Sequence, residues 1–481
     1  MCARYEAYGW HVQRVDWRRA DGYHEDVPSL YQAFLNAREH AEAPSLIALS
    51  TIIGWPAPNK QNTGAAHGSA LGVPEVKATK AILHFDPEVD FPVEDEALNR
   101  ARQVAERGKK LHAEWEGPFT AWASANTERK ALLDRLAARR LPDGWTGKLP
   151  SFPADAKGMA TRKASGAVLT AIGPALPELW GGSADLAESN LTTMEGEPSF
   201  IPVDHQTAMW RGNPYGRTLH FGIREHGMGA ILNGIALHGG TRPYGGTFLV
   251  FSDYMRGSVR LASLMELPVT YVWTHDSIGL GEDGPTHQPI EHLWALRAIP
   301  NLHVVRPGDA NETVVAWRTV LEQARPAALC LTRQALPVFD RSSGGLASAE
   351  GVARGGYVLA DGSDVIVIGT GSEVSIALEA RDQLAAEGIS ARVVSMPCVE
   401  WFTAQDESYR REVLPPTIRA RVSVEAGITE PWRLFVGDAG ASIGVDHFGA
   451  SAAYQKIYQE FGITAERVTA AARDSLARVR A

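Results

Sequence analysis

The sequence predicts an α/β protein with doubly wound parallel sheets, followed by a further α/β domain at the C-terminus. The first observation is a near-continuous apolar run at residues 45–53, which is typical of a strand buried on both faces of a parallel sheet. The second is the alternation of strand and helix patterns between residues 157 and 336. The third is another strand, helix and strand pattern over residues 364–394. The 481 residues allow about three domains.

The first part of the chain predicts an incomplete sheet. Residues 8–15 and 45–53 are predicted strands, and residues 30–38 are a predicted helix with Ser29 as its N-cap. A buried parallel strand needs a neighbour on each side, so two strands predict that others are missing upstream. These two strands should therefore have an uncovered edge. Beyond them, residues 92–140 predict two charged helices separated by a break at Gly117-Pro118.

Shifts in composition divide the chain into four parts. Residues 1–110 are predicted to be the remnant of a first domain, and residues 111–156 a helical linker. Residues 157–340 should form a complete α/β domain and residues 341–481 a C-terminal α/β domain. A glycine- and serine-rich stretch at residues 341–356 is predicted to join these last two.

The middle domain should place a ligand site at one edge of its sheet. Five strands are predicted, at residues 179–181, 218–221, 269–273, 302–305 and 328–331. Four of them lead directly into polar or ionisable side chains. Because ligands of open α/β sheets bind beyond the carboxyl ends of the strands, we expect these side chains to meet in one site.

Composition excludes several classes of protein. The net charge of −9, from 47 basic and 56 acidic residues, argues against a general nucleic-acid binder. No apolar run approaches the ~18 residues of a membrane span, and the charged start of the chain does not resemble a signal peptide. Of the three cysteines, Cys330 and Cys398 lie in apolar runs and are predicted to be buried free thiols. We therefore expect a soluble, cytoplasmic enzyme that binds neither membrane nor nucleic acid.

Glu225 is the sharpest single candidate. It is predicted to open a helix whose other residues are mostly apolar or small, and Met228 and Gly229 share its face. One interpretation is a carboxylate placed favourably at a helix N-terminus. The other is a partly buried acid that exchanges a proton with a ligand. The apolar surroundings favour the second interpretation.

The loop at residues 274–289, THDSIGLGEDGPTHQP, carries ionisable groups on a glycine-shaped backbone. These groups are His275, Asp276, Glu282, Asp283 and His287. Histidines and a carboxylate on such a loop suit hydroxyl recognition and proton transfer. A metal site is the alternative, but the two histidines lie twelve residues apart, unlike the short spacings typical of zinc ligands. Arg162, Arg333 and His275 could form a cationic pocket for a phosphate, or they could be three unrelated surface cations.

Two further patterns leave alternatives open. Phe248, Phe251 and Tyr254 recur at every third position, and such a stripe can be core or can stack on a flat heteroaromatic ring. Residues 369–372, Gly-Thr-Gly-Ser, look like the start of a dinucleotide fingerprint. The third glycine and the acidic residue are absent, however, so a tight turn that caps a helix is favoured there.

Several segments together resemble the transketolase family. They are GGSADLAESNLT at 181–192, FGIREHGMGAILNGIALHGG at 221–240, PYGGTFLVFSDY at 243–254 and the 274–289 loop, supported by AAHGSALG at 65–72, TRKAS at 161–165 and VEAG at 424–427. The set is highly specific, and the resemblance extends over essentially the whole chain. It implies thiamine diphosphate-binding fold domains, a pyrimidine-binding domain among them, and transfer of a two-carbon ketol unit from a ketose phosphate to an aldose phosphate.

The resemblance also implies a cofactor site. Glu225 matches the family's glutamate, which hydrogen-bonds the pyrimidine ring of thiamine diphosphate and promotes its imino tautomer. Phe248, Phe251 and Tyr254 match the aromatic pocket of that ring. Asp185 matches a carboxylate near the cofactor. A divalent cation, Mg²⁺ or Ca²⁺, is implied with the diphosphate, and no residue of this sequence is assigned to it.

Substrate positions follow from the same resemblance. His67 and His287 match histidines that contact the donor's hydroxyls and assist proton transfer, so with Glu225 they are the predicted catalytic residues. Asp283 matches the residue that reads the acceptor's adjacent hydroxyl. The implied sugar-phosphate pocket consists of Arg162, Ser189, His275 and Arg333.

One departure from the family stands out. The family's first domain holds the diphosphate and metal through a GDG segment and a later asparagine, and neither has a counterpart here. We therefore expect a chain truncated within that domain, with its metal ligands in a missing N-terminal segment and with doubtful activity alone. Alternatives are a catalytically silent or partner-requiring fragment, ketol transfer to formaldehyde as in dihydroxyacetone synthase, and a metal-dependent hydrolase. The resemblance further implies a homodimer with active sites at its interface, serving the pentose phosphate pathway or Calvin cycle.

Overall fold

The computed structural model describes residues 1–342 and 345–481. Residues 343 and 344 belong to the predicted linker at 341–356 and lie outside the described residues. The described chain forms two compact units, residues 1–125 and residues 126–481. No helix in the described ranges is both long enough and apolar enough to cross a membrane.

The first unit combines short strands with longer helices. Its elements are α1 (Cys2–Ala7), β1 (His11–Asp16), β2 (Arg18–Arg19), β3 (Gly22–Tyr23), α2 (Val27–Glu39), β4 (Ser45–Ser50), α3 (Val73–Ile82) and α4 (Asp95–Ala125). Strands β1 and β4 pair in parallel, and β2 pairs with β3 as a small antiparallel ribbon.

This unit buries few side chains. Its buried apolar residues include Val15, Ala33 and Ala57, whereas β4 is half-exposed along most of its length. The expectation that residues 45–53 form a strand buried on both faces is therefore wrong, and the strand ends at Ser50. Among the described residues β1 and β4 form a sheet of two strands, so each has the uncovered edge that the sequence predicts.

Two helix predictions in this unit are corrected. Helix α2 begins at Val27, and Asp26 rather than Ser29 is its cap, because the Asp26 carboxylate accepts from the Ser29 backbone N–H at 3.0 Å. Helix α4 runs through Pro118 instead of breaking there.

The aromatic side chains around Pro118 explain why α4 continues. A proline inside a helix costs about 3 kcal/mol, because one hydrogen bond is lost and the ring crowds the preceding turn. Here Trp115 stacks on Phe119 with ring centroids 4.4 Å apart, and Phe119 stacks on Trp122 at 5.7 Å. These contacts bridge the turns on both sides of the proline, and most of the other residues of α4 favour helix.

The second unit opens with a helix and a large sheet. Its first elements are α5 (Thr127–Ala137), β5 (Asp155–Met159), α6 (Thr161–Ile172), β6 (Leu179–Ser183), α7 (Ala187–Asn190), β7 (Thr218–His220), α8 (Glu225–His238), β8 (Arg242–Phe248), α9 (Ser252–Leu264), β9 (Thr270–Thr274), α10 (His292–Arg297), β10 (His303–Val305), α11 (Ala310–Gln323), β11 (Ala327–Leu331) and β12 (Leu336–Val338). Six strands form a parallel sheet in the order β10-β11-β9-β8-β6-β7.

All five strands predicted for this sheet are present, each within two residues of its predicted ends. The sixth, β8, carries Pro243, Gly245 and Gly246, which strand propensity disfavours. The glycines are required by close packing: a Cβ on Gly245 would lie 2.5 Å from a Leu232 methyl carbon, so α8 could not approach the sheet.

A second sheet occupies the C-terminal part of the unit. Its elements are β13 (Tyr357–Ala360), β14 (Val365–Gly369), α12 (Glu373–Ala386), β15 (Ala391–Ser395), α13 (Val399–Thr403), α14 (Glu407–Val413), β16 (Arg421–Val424), α15 (Arg433–Val436), β17 (Ala441–Ile443), α16 (Tyr454–Phe461) and α17 (Ala465–Arg480). The strand order is β13-β15-β14-β16-β17, with β13 antiparallel to the rest. Cys330, in β11, and Cys398, just before α13, are buried free thiols, as predicted.

Candidate active site

The strand order places a crevice between β6 and β8. Strands β6 and β8 are neighbours in the sheet. From β6 the chain continues to β7 on one side, and from β8 it continues to β9 on the other side, so the direction of the connections reverses between β6 and β8. Ligands of parallel sheets bind at such a reversal, beyond the carboxyl ends of the strands. The polar segments predicted to meet there follow β6, β7, β9 and β11, and β8 ends at the same edge with Phe248.

Glu225 is the first residue of α8 and is only 8% exposed. The expected burial is therefore confirmed. Among the described residues no side chain forms a hydrogen bond or ion pair with its carboxylate. Close packing fixes the helix that carries it, because a Cβ on Gly229 would lie 2.2 Å from the Ser258 hydroxyl of α9. A buried acid without a partner, on a rigid helix beside the crevice, is placed to hydrogen-bond a ligand.

The aromatic stripe is graded from buried to exposed. Phe248 is buried, Phe251 is half-buried and Tyr254 is 66% exposed. The Phe248 and Phe251 rings stack with centroids 5.5 Å apart, and Tyr254 follows at 5.8 Å from Phe251. These three rings form an aromatic ladder, and the last of them, Tyr254, is exposed. The ladder is therefore not simply part of the core, and its open side offers a surface for a flat ring.

His275 lies at the end of β9 and is connected to a buried polar chain. The Thr274 hydroxyl donates to Asn190 Oδ1 at 2.7 Å and lies 2.8 Å from His275 Nδ1. A hydroxyl has one proton to donate, so it accepts from Nδ1–H, which leaves Nε2 as the bare nitrogen of the neutral ring. Asn190 in turn donates to Ser183 at 2.9 Å.

Asn190 was missed by sequence reasoning. It is completely buried and links the end of β6 to the end of β9 through the contacts to Ser183 and Thr274. Its only signal in the sequence is its place within the segment at 181–192. Asparagine after a short helix is common in turns, so the residue type alone does not indicate this role.

Positive charges gather beside His275. Burial, and then the nearby charges of Arg162 and Arg333, lower the pKa of His275 to about 3. Burial and then the charge of Arg333 lower the pKa of the Arg162 guanidinium. The nearest carboxylate to Arg333, that of exposed Glu282, is 4.0 Å away. Cations that raise one another's energy in this way form a site that an anion would stabilise, so they are not unrelated surface groups.

The backbone holds both arginines in place. Arg162 donates to the carbonyl of Ser189, and Arg333 donates to the carbonyl of Leu280 at 2.9 Å. The Arg162 Nε is buried and has no hydrogen-bond partner among the described residues. An oxygen-rich ligand could satisfy that donor.

The 274–289 loop brings His287 to the same place. Its ring lies 5.5 Å from Phe251 and 6.1 Å from Phe248, while the His275 ring lies 3.7 Å from Phe248. Asp283, at the tip of the loop, is exposed. The structure therefore joins His287, the predicted proton-transfer histidine, with the aromatic ladder and with the cluster formed by His275, Arg162 and Arg333.

The predicted site residues also include Asp185 and His67. Asp185 is exposed just beyond β6, with φ of 62°, and lines a cleft with Ser183 and His220. His67 belongs to the first unit, where it is exposed after a short 3-10 turn at Gly64–Ala66. Its role stays a prediction.

The two competing interpretations find little support. Among residues 1–342 and 345–481, the group of three potential metal ligands is Asp253, Glu291 and His292, which does not include the histidines of the 274–289 loop. The turn at 369–372 is filled by Arg306, whose guanidinium donates to the Thr370 carbonyl and the Ser372 hydroxyl. That turn is therefore a structural one.

Three domain models of one family match the chain. The transketolase thiamine diphosphate binding domain matches residues 1–142, the transketolase pyrimidine binding domain residues 157–338, and the transketolase-like C-terminal domain residues 355–464. The transketolase of Mycobacterium tuberculosis is 56% identical over 485 residues, which cover 98% of this chain and 68% of the relative. The chain belongs to the transketolase family.

Other transketolases agree. That of Geobacillus stearothermophilus is 45% identical, over 97% of this chain and 68% of its own length. A crystal structure of the Pichia stipitis transketolase with sedoheptulose 7-phosphate superposes with a TM-score of 0.89 at 40% identity, covering 99% of this chain and 68% of that one. The predicted fold class, with thiamine diphosphate-binding domains and a C-terminal α/β domain, is confirmed.

Family membership also identifies the enzyme class and the cofactor. The chain is a transferase of the transketolase type, and thiamine diphosphate is its cofactor, because the model matched at residues 1–142 is the family's thiamine diphosphate binding domain. The same match does not bear out the expectation of a truncated domain that lacks its cofactor motif.

Proposed function

We propose that this chain transfers a two-carbon ketol unit from a ketose phosphate to an aldose phosphate. The single observation that carries the choice of phosphorylated sugars is the pair of arginines, Arg162 and Arg333, whose charges act on each other and on His275. The rings of His275 and His287 contact the aromatic side chains Phe248 and Phe251 at the same place. A phosphate dianion there would relieve the mutual repulsion of the two arginines and accept from the orphaned Arg162 Nε.

The residues around β8 fit the flat ring of thiamine diphosphate. The stacked Phe248 and Phe251 rings, with Tyr254 beyond them, provide aromatic faces, and the unpartnered Glu225 carboxylate provides one polar contact. When bound, the cofactor supplies the carbanion stabilisation that ketol transfer needs. Glu225 holds a proton against the ring nitrogen, and the buried Phe248 ring excludes water at its end of the aromatic ladder.

Most of the remaining predicted residues contact the substrates. His287 and His67 hold the donor's hydroxyls and move protons, and Asp283 accepts from the hydroxyl next to the acceptor's aldehyde. The phosphate is bound by Arg162, Ser189, His275 and Arg333. Asp185 lies near the cofactor. A divalent cation, Mg²⁺ or Ca²⁺, accompanies the diphosphate, and no residue here is assigned to it.

The proposal extends to assembly and organisation. The chain acts as a homodimer with active sites at the interface, in the cytoplasm, without membrane or nucleic-acid partners. Its parts are a diphosphate-binding region at 1–110, a helical linker at 111–156, the pyrimidine-binding domain at 157–340 and the C-terminal domain at 341–481. The models matched at residues 157–338 and 355–464 support the last two parts, and the model matched at residues 1–142 supports a diphosphate-binding region at the start of the chain.

The test compares phosphorylated and unphosphorylated donors. The purified full chain, with thiamine diphosphate and Mg²⁺, is assayed with a ketose phosphate and with its unphosphorylated ketose. We expect Arg333→Leu to raise KM for the phosphorylated donor about ten- to hundredfold and to leave the other donor nearly unchanged, because a lost charge-assisted hydrogen bond affects only the phosphate.

Arg325→Leu is the matched control, since Arg325 pairs with exposed Glu266 away from the crevice. Equal losses for both donors in Arg333→Leu would contradict the assigned phosphate pocket. Absence of transfer by the unaltered chain would contradict the function itself, and an acceptor series that includes formaldehyde would show a different substrate preference.

A further inference from the structure

The 274–289 loop carries His275, Asp283 and His287. Several of the hydrogen bonds and ion pairs that hold this loop in place come from the C-terminal part of the second unit. The first attachment is at the start of the loop, where Asp276 is 1% exposed and accepts from Arg306 Nε at 2.8 Å. Arg306 is itself completely buried. A buried ion pair with this geometry fixes the backbone immediately after His275.

Arg306 connects Asp276 to the C-terminal part of the second unit. Its guanidinium pairs with the Glu373 carboxylate at the start of α12 and donates to the Thr370 carbonyl at 2.9 Å. Glu373 also accepts from the Tyr458 hydroxyl of α16 at 2.8 Å. Burial lowers the pKa of Arg306, but the negative charges of Glu373 and Asp276 outweigh this effect and hold that pKa well above its ordinary value. The guanidinium therefore stays charged and paired.

The second attachment is at the far end of the loop. Gln288 is 2% exposed, and its amide donates to the Gly281 carbonyl at 3.0 Å and to the Ala450 carbonyl at 2.9 Å. The first bond closes the loop on itself, and the second ties it to the segment before α16. Ser451 adds a bond from its hydroxyl to the Glu282 carbonyl at 2.5 Å.

Contact at this second attachment is tight. A Cβ on Gly449 would lie 1.7 Å from Gln288 Oε1, and a Cβ on Gly284 would lie 3.2 Å from Ser451 Cβ. Both glycines are therefore required for the close approach of the two segments. Asp283, which the proposed function assigns to the acceptor's hydroxyl, lies between the two residues that Ser451 touches.

We propose that the C-terminal part of the second unit braces the 274–289 loop at both ends, with Arg306, Gln288 and Ser451 as positioning residues that set acceptor recognition by Asp283. The inference rests on the proposed function, which assigns the acceptor contact to Asp283. None of the three positioning residues touches the reacting atoms. They act by holding the loop backbone where Asp283 and His287 can meet the substrate.

The test uses the full chain and two single variants. Ser451→Ala removes one bond at an exposed position, and Gln288→Met removes two bonds while nearly keeping side-chain volume. We expect hydrogen–deuterium exchange of the amides at residues 280–287 to rise about three- to tenfold in Ser451→Ala, the effect of one lost hydrogen bond on a local opening equilibrium, and to rise more in Gln288→Met, which loses two. Ser408→Ala is the control, because exposed Ser408 likewise donates to an exposed partner, Asp406, away from the loop.

A second measurement separates positioning from general loosening. The preference for an aldose phosphate acceptor over its 2-deoxy analogue should fall about three- to tenfold in both variants. In an Asp283→Ala background the same substitutions should leave that preference unchanged, because the group they position is absent.

Each outcome decides the inference. Unchanged loop exchange in both variants would overturn the brace, and so would raised exchange with an unchanged acceptor preference. Raised exchange in a chain that transfers no ketol unit would support the brace and contradict only the proposed function. Additive effects with Asp283→Ala would show that the brace does not act through Asp283 and would overturn that assignment.

Discussion

The two compact units differ sharply in how they are packed. In residues 126–481 the central strand β9 is buried along its whole length, and Trp273 and Trp317 are completely buried. In residues 1–125 strand β4 is half-exposed, and Phe91 is 94% exposed. The second unit therefore has an extensive core of its own, whereas the first buries only a few apolar side chains.

This difference teaches where precise chemistry can be built within the described chain. A catalytic group must be held to within a fraction of an ångström by neighbours that are themselves fixed. Glu225 and His275 meet that condition, since close helix packing or a buried hydrogen-bond chain holds each. His67, exposed in the first unit, has no such support from the residues described around it. The predictions below test this contrast.

The largest expected effect is on Glu225 in the tightly packed unit. Glu225→Gln keeps the size of the side chain but removes the proton-holding carboxylate, so ketol transfer should fall about 10²–10⁴-fold. Thermal stability should hardly change, because the carboxylate forms no ion pair in the described residues. Steady-state kinetics and a thermal melt check both expectations.

His226→Gln is the matched control for this substitution. His226 is the next residue on α8 and is exposed. It should keep nearly full activity. Comparable losses in the two variants would show that the beginning of α8 tolerates no change, and the assignment of Glu225 as a specific acid would then fail.

Much of the second unit could be predicted from its sequence because its signals are local. Strands such as β9 and β11 are short, mostly apolar runs that are buried along their whole length, and the polar segments follow them directly. The ladder of Phe248, Phe251 and Tyr254 is also a local pattern. Periodicity could not decide its role, because burial along the ladder depends on the neighbouring strand and helix.

What could not be predicted depends on contacts between distant residues. Asn190 meets Thr274 84 residues later, and Arg306 meets Glu373 67 residues later. No spacing rule connects such pairs. Strand β8 was missed because its glycines are selected by the close approach of α8 and not by strand propensity. The continuation of α4 through Pro118 was missed because aromatic stacking outweighed the usual meaning of proline.

The next effect concerns local opening of the two units. Amides of β4 should exchange about a hundredfold faster than amides of β9, because local opening of β4 exposes little that was buried. Trypsin should accordingly cut the chain first within residues 1–150. Exchange measured by mass spectrometry on the full chain checks the ratio. Equal protection of β4 and β9 would contradict the difference in packing between the two units.

The smallest expected effect is a difference in how pH affects the two units. The pKa of His275 is lowered by burial and nearby arginines to about 3, so between pH 6.5 and pH 3 the unfolded chain binds a proton that the folded chain does not. The second unit should therefore lose stability as pH falls through this range, by about 2 kcal/mol from pH 6.5 to pH 5. Burial lowers the pKa of His220 and His303 too, which adds in the same direction.

The first unit should not respond between pH 6.5 and pH 5. Hydrogen bonds lower the pKa values of the Asp16, Asp26 and Glu75 carboxyls, so their contribution is present above pH ~4.5 and is lost only below it. Thermal melts monitored by exchange in each unit can separate the two responses. His275→Asn should weaken the response of the second unit, whereas His24→Asn, at an exposed position of the first unit, should not.

Sulfate sharpens the same test, because it remains a dianion across this range and cannot donate a proton. The neutral His275 ring offers only a bare Nε2 to it, so binding near Arg162 and Arg333 should be coupled to proton uptake by His275. Sulfate should then raise the melting temperature of the second unit more at pH 6 than at pH 8, and His275→Asn should remove that difference. Stabilisation by sulfate that is independent of pH would show that the arginines bind the anion without His275, and the histidine would then leave the proposed phosphate pocket.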